Sequence, residues 1–125
     1  WLNKHLDSPA AIRRWVELIK LRMPIAMTIE TQFGFVGITH AQPPENWEDV
    51  KNPNTEYINF LTSRDQIKQK LNYNVKNITF TVHGNSDVKT ITRIKNRFWI
   101  DTLEYTGKPC VKTLDELYFE MKNER

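Results

Sequence analysis

The run Phe35-Val36-Gly37-Ile38-Thr39-His40-Ala41 limits the fold of this chain more than any other segment. Its apolar and β-branched residues read as a buried strand. Gln42-Pro43-Pro44 follows and stops it, because proline has no N–H to give to a sheet ladder. The strand therefore delivers His40 to its exit, beside a loop. An imidazole in that position suits a metal or phosphate site; it equally suits a capped structural residue.

The rest of the chain is read around this strand. Ser8 or Asp7 can cap a helix with Pro9 in its first turn. Ile12, Trp15, Val16 and Ile19 then fall at helical spacing, which predicts a helix over 8–20 that Pro24 ends. Residues 25–31 read as a strand, and Gln32-Phe33-Gly34 as a tight turn into 35–40. The result is a β-hairpin with His40 at its far end. Residues 42–55 are rich in proline and asparagine and read as a loop, with one helical turn at Trp47. A helix is expected over 55–71, with Tyr57, Phe60, Leu61, Ile67 and Leu71 on its apolar stripe. A strand is expected over 78–82, running into His83-Gly84-Asn85. A second hairpin is expected over 89–94 and 97–102, turning at Lys95-Asn96, where asparagine tolerates the left-handed geometry. After a segment interrupted by Gly107 and Pro109, Leu114, Leu117, Tyr118 and Met121 predict a final helix from Thr113. Three helices and five or six strands, mostly hairpin-paired, define an α+β class rather than a regular βαβ alternation.

Composition bounds the function. The chain has 125 residues, enough for one domain with one core; 39% are hydrophobic and 26% charged, as in globular proteins. A net charge of +3, with both signs interspersed, leaves no strong nucleic-acid footprint. A single cysteine, Cys110, cannot form an internal disulfide and points to a reducing compartment. No apolar run approaches the roughly 20 residues of a membrane-spanning helix, and no signal peptide is evident, so the expected location is cytoplasmic. The chain begins at Trp1 as if inside an element, which reads as the C-terminal portion of a larger domain.

Four segments in order resemble the C-terminal half of a PPP-type, calcineurin-like metallophosphoesterase, the family of phage- and bacterial-type serine/threonine protein phosphatases. The first is Gly37-Ile38-Thr39-His40-Ala41-Gln42-Pro43-Pro44, similar to the family's strand ending in a metal-binding histidine. The second is Ser63-Arg64-Asp65-Gln66-Ile67, similar to its helix-associated Arg-Asp/Glu pair. The third is Gly84-Asn85-Ser86-Asp87, where the family has Gly-His-Thr-Pro. The fourth is Asn96-Arg97-Phe98-Trp99-Ile100-Asp101-Thr102, similar to Asn-Arg…Ile-Asp-Thr. The chain also departs from the pattern. Asn85 stands where the family has its second histidine, Leu103 stands where it has glycine, and its N-terminal metal motifs, which supply most metal ligands and the general acid, are missing.

The resemblance implies part of a β-sandwich flanked by helices, within a metal-dependent phosphoesterase. It implies His40 as a metal ligand, Asn85 as a weaker amide-oxygen ligand at the histidine position, and Arg64 as a clamp on the substrate phosphate. On the residues alone, Arg64 can equally be a surface arginine paired with Asp65. Manganese, or iron, nickel or zinc, would bind only with the N-terminal half present. No catalytic residue lies within the chain, which is expected to be inactive alone. The expected substrate is a phosphoprotein or nucleotide phosphoester, and the expected partners are a complementing N-terminal half or a second copy. A non-catalytic pseudophosphatase or protein-interaction domain is the alternative. His83 precedes Gly84 and could replace the missing ligand by a register slip. Asp101 is expected to organise the hairpin and His5 to lie exposed. Trp1, Trp15 and Trp99 are expected to fill core, and Trp47 to line either core or a cleft.

Overall fold

The computed structural model describes residues 8–123. Helix α1 (Pro9–Arg22) begins as its sequence predicts, with Ser8 Oγ accepting from the Ala11 N–H at 3.2 Å and proline in the first turn. It runs two residues past the expected end and stops short of Pro24. Strands β1 (Ala26–Thr31) and β2 (Gly34–Thr39) form the expected hairpin, with Thr31 opposite Gly34 and His40 just beyond β2. Gly34 is required: its φ is +113°, and a Cβ there would collide with the Thr79 hydroxyl.

A 3₁₀ turn (Trp47–Lys51) precedes α2 (Ile58–Thr62), α3 (Asp65–Lys68) and β3 (Phe80–His83). The hairpin of β4 (Thr92–Ile94) and β5 (Arg97–Trp99) follows, then α4 (Leu103–Thr106) and α5 (Leu114–Lys122). The five strands form one mixed sheet in the order β1-β2-β3-β5-β4. This is an α+β arrangement, but hairpins do not dominate it. The two central pairings, β2 with β3 and β3 with β5, are parallel. All of β3 and β5 is buried, as expected of strands covered on both faces. One sheet is present among the described residues, so a two-sheet sandwich would need strands from elsewhere.

Three local expectations are corrected. The helix expected over 55–71 is two short helices, because tertiary bonds take its backbone groups. Phe60 O, which would accept from the N–H of residue 64, accepts instead from Ala41 N at 2.7 Å. Thr62 O accepts from the Asn85 amide at 3.3 Å, and Gln66 N donates to Gln42 Oε1 at 3.2 Å. In the β4–β5 turn the left-handed residue is Lys95, at φ +57°, not Asn96. The Asn96 amide is committed elsewhere: Oδ1 accepts from Val75 N at 2.8 Å and Nδ2 donates to Val75 O at 3.0 Å. Trp15 is not core: α1 buries none of its residues, and Trp15 is 53% exposed. Trp1 and His5 lie outside the described residues.

Strand alternation divides the sheet into two unlike faces. One carries Val36, Phe80, Val82 and Phe98, packed against Leu117 of α5. A capping box starts α5, with Thr113 Oγ1 accepting from Glu116 N at 3.1 Å and Glu116 Oε2 from Thr113 N at 2.8 Å. The other face carries Gly37, Thr39, Thr81, His83, Arg97 and Trp99, and the chain between residues 41 and 75 covers it. Trp47 fills this layer. Its ring lies over Gly37 so closely that a Cβ there would come within 2.6 Å, and its Nε1 donates to Thr28 Oγ1 at 2.8 Å. Trp47 therefore packs as core rather than opening onto a cleft beside His40.

Candidate functional site

Parallel strands β2 and β3 end side by side, and the loops behind them meet there. His40 follows β2, and its carbonyl accepts from Gly84 N at 2.8 Å. The next peptide is fixed at both ends, with Ala41 N donating to Phe60 O and Ala41 O accepting from Trp99 Nε1 at 3.0 Å. The backbone of His40 is thus held by three elements while its side chain remains exposed. Arg64 closes the cluster from the α2–α3 break: its Nε donates to Asn85 O at 2.9 Å. Asn85 sits at φ +60°, a geometry asparagine adopts more readily than most residues, and its amide donates back to Thr62 O.

His40, Arg64 and Asn85, distant in sequence, therefore share one loop cluster. Two of them open onto different hollows. His40 lines a cavity of about 610 Å³ whose wall includes Met27, Ile38, Leu61, Val82 and Ile100. Arg64 lines a groove of about 720 Å³ on the α3 side. Asn85 is the link between them. Its carboxamide is engaged with Thr62, so it serves here as a loop brace.

His83 cannot act as an exposed ligand. It is 2% exposed, and both ring nitrogens are engaged, Nδ1 with Thr39 Oγ1 at 2.8 Å and Nε2 with Thr81 Oγ1 at 2.7 Å. The tautomer follows from proton counting. The Thr39 hydroxyl spends its only proton on Gln42 O, at 2.8 Å. Nδ1 must therefore donate to Thr39, and Nε2 must accept from Thr81. Burial disfavours the imidazolium and lowers the His83 pKa from 6.5 to about 3, with the Thr39 backbone opposing the shift and Arg97 adding to it. At Asp101 the backbone carbonyl accepts from Val88 N at 2.9 Å.

Two features were not assigned from the sequence. Arg97 is fully buried. Its Nη1 donates to Gln66 Oε1 at 2.9 Å, its Nη2 donates to Leu71 O, and its guanidinium stacks on Tyr73 at 4.0 Å from the ring centroid. Its Nε has no partner. Burial depresses the Arg97 pKa, and Tyr73 offsets part of that. The sequence signal was available: an arginine inside the strand run Arg97-Phe98-Trp99-Ile100 must be buried if that strand is central. The second feature is the cationic lining of the groove beside Arg64. Its residues come from segments about 20 positions apart, so no linear spacing shows it.

The chain's own residues do not fit a metal centre. Among the described residues no three histidine, cysteine, aspartate or glutamate side chains come together to hold an ion. His40 and the engaged amide of Asn85 fall short of the roughly seven ligands two ions share. No helix among the described residues is long and apolar enough to cross a membrane. Compared with protein-family models and with curated proteins, the chain matches none.

Proposed function

We propose that this chain is the C-terminal half of a PPP-type, calcineurin-like metallophosphoesterase acting on phosphoprotein or nucleotide phosphoesters, and that it is inactive alone. The observation that carries this reading is the convergence of His40, Arg64 and Asn85 at the ends of two parallel strands, joined through the Gly84–His40 and Arg64–Asn85 hydrogen bonds. Ligands and loops gather at the carboxyl ends of parallel strands because the connections there are free to vary. Arg64 spends Nε on the Asn85 carbonyl and keeps its terminal nitrogens for phosphate oxygens. The metals, manganese first, and the general acid would come with the N-terminal half, which adds the second sheet of a sandwich.

The test is complementation. The purified chain should not hydrolyse p-nitrophenyl phosphate with Mn²⁺. Supplied with an N-terminal half that carries the family's metal motifs, it should gain metal binding and activity, and His40→Ala should remove both. Activity of the isolated chain that His40→Ala abolishes would overturn the inactive-half reading. A complemented complex that binds no metal would overturn the phosphoesterase itself.

A second reading, a non-catalytic pseudophosphatase that binds protein, is favoured by the engagement of the Asn85 amide with Thr62. Asn85→His separates the two. It should raise metal affinity in the complemented complex of a damaged enzyme and leave it unchanged in a drifted scaffold.

A further inference from the structure

The groove beside Arg64 is built from two segments. Arg64, Lys68 and Lys70 stand on the α3 side; Lys89 and Arg93 stand on the connection from β3 to β4. Five cations thus face one hollow of about 720 Å³ with a single carboxylate, Asp87, among its lining residues. The whole chain carries a net charge of only +3, so five cations lining one groove are a marked local excess of positive charge. Among the described residues no ion pair engages Arg64, Lys68, Lys70 or Lys89. Lys89 is steadied instead by the Tyr105 ring, 5.9 Å from its centroid.

A second observation comes from Ser86. It lines the same groove, is 5% exposed, and its hydroxyl is buried with no hydrogen-bond partner. A buried, unpaired hydroxyl costs free energy unless something bonds to it. Beside five cations, the fitting partner is an anionic acceptor.

The geometry points to this groove as a recognition surface for an acidic polypeptide segment that flanks the phosphorylated residue of a substrate. The inference rests on the phosphoester reading above, with Arg64 shared between the two: it lines the groove, and its Nε holds the Asn85 carbonyl of the loop cluster. Spaced lysines match spaced carboxylates as point charges. Ile67, Val88 and Ile94 supply apolar wall for the side chains between them. A nucleic acid fits less well. The one aromatic ring in the groove is taken by Lys89, so no free platform is left on which bases could stack.

The test uses the full chain and a fluorescein-labelled phosphoserine peptide flanked by glutamates, followed by anisotropy. The glutamate peptide should bind at least tenfold more tightly than its glutamine counterpart, and added salt should narrow that gap. Lys68→Glu with Lys89→Glu should abolish the preference; both side chains are exposed, and an unchanged melting temperature would show that the fold is kept. Ser86→Ala should weaken binding severalfold with no loss of stability, since it removes an unpaired group. Equal binding of the two peptides, indifference to the paired charge reversal, or tighter binding of a single-stranded oligonucleotide would overturn the groove assignment. The phosphate is read separately. If the phosphorylated and unphosphorylated glutamate peptides bind alike, and Arg64→Ala changes neither, the phosphoester reading fails while a glutamate preference still upholds the groove.

Discussion

At the scale of single residues, His83 and His40 show how little the identity of a side chain says without its surroundings. Two histidines leave adjacent parallel strands. One turns into the polar layer between two threonines; the other points out among loops. Their difference has a measurable consequence. The folded-state pKa of His83 lies near 3, below its ordinary 6.5, so on acidification the unfolded chain takes up the proton first. The stability held at neutral pH is therefore intact above about 6.5 and declines as pH falls toward 3. At pH 5 the loss from this group should be about 2 kcal/mol, from 1.36 kcal/mol for each unit below 6.5. Urea unfolding at pH 7.5 and pH 5.0 checks it, with His83→Gln as the control that lacks the titrating ring. The same acid sensitivity in both proteins would show that His83 titrates freely.

At the scale of elements, the α2–α3 break and the buried Arg97 form one unit, with Gln66 as its hub. Gln66 accepts from Arg97 Nη1 and donates from Nε2 to Pro43 O at 2.7 Å. Gln66→Ala would leave a buried guanidinium short of a second partner, its Nε being unpaired already. Removing a partner from a buried charge is expensive, and about 2–4 kcal/mol of unfolding free energy should be lost. Gln66→Glu keeps an acceptor beside the cation but sets a second oxygen against Pro43 O, so it should recover only part of the loss; a loss below about 1 kcal/mol for Gln66→Ala would mean that Arg97 finds another partner. This unit also marks where the sequence stops being legible. Elements set by local rules were readable: α1 from Ser8 and Pro9, the β1–β2 hairpin from Gln32-Phe33-Gly34, α5 from Thr113 and its periodic leucines. Elements set by distant partners were not. The carbonyls of Phe60 and Thr62 are claimed by Ala41 and Asn85, and nothing near residue 62 announces it. The parallel pairing of β2 with β3 joins strands about 40 residues apart, beyond any turn signal. The site divides the same way. His40, Arg64 and Asn85 stood out by motif, and the structure gathers them. The groove lysines and the lone Ser86 hydroxyl acquire meaning only when two segments face each other.

At the scale of the whole molecule, the two faces of the sheet are covered unequally. The polar layer is closed by the chain between residues 41 and 75; among the described residues the apolar layer is covered by α5 at one end, with Ile91 and Ile100 packed beside it. At the other end Met27 is 47% exposed, and the cavity beside His40 opens there. Helix α1 repeats the pattern with Ile12, Trp15, Val16 and Ile19 on one exposed stripe. Strand β1 is also an edge of the sheet. An amphipathic helix, an edge strand and an open apolar cavity on one molecule are hard to keep in water unless another surface covers them. A half-domain would leave this surface, and either the complementing half or a second copy would cover it. Sedimentation equilibrium of the isolated chain at tens of micromolar should therefore give a dimer. Trp15→Glu with Ile19→Glu should shift it to monomer with little change in the intrinsic stability of the protomer, because neither side chain is buried within it. The N-terminal half added in trans should displace the second copy. A monomer at every concentration that binds no hydrophobic dye would mean that α1 folds back over the sheet in solution, and the half-domain account would lose its structural basis.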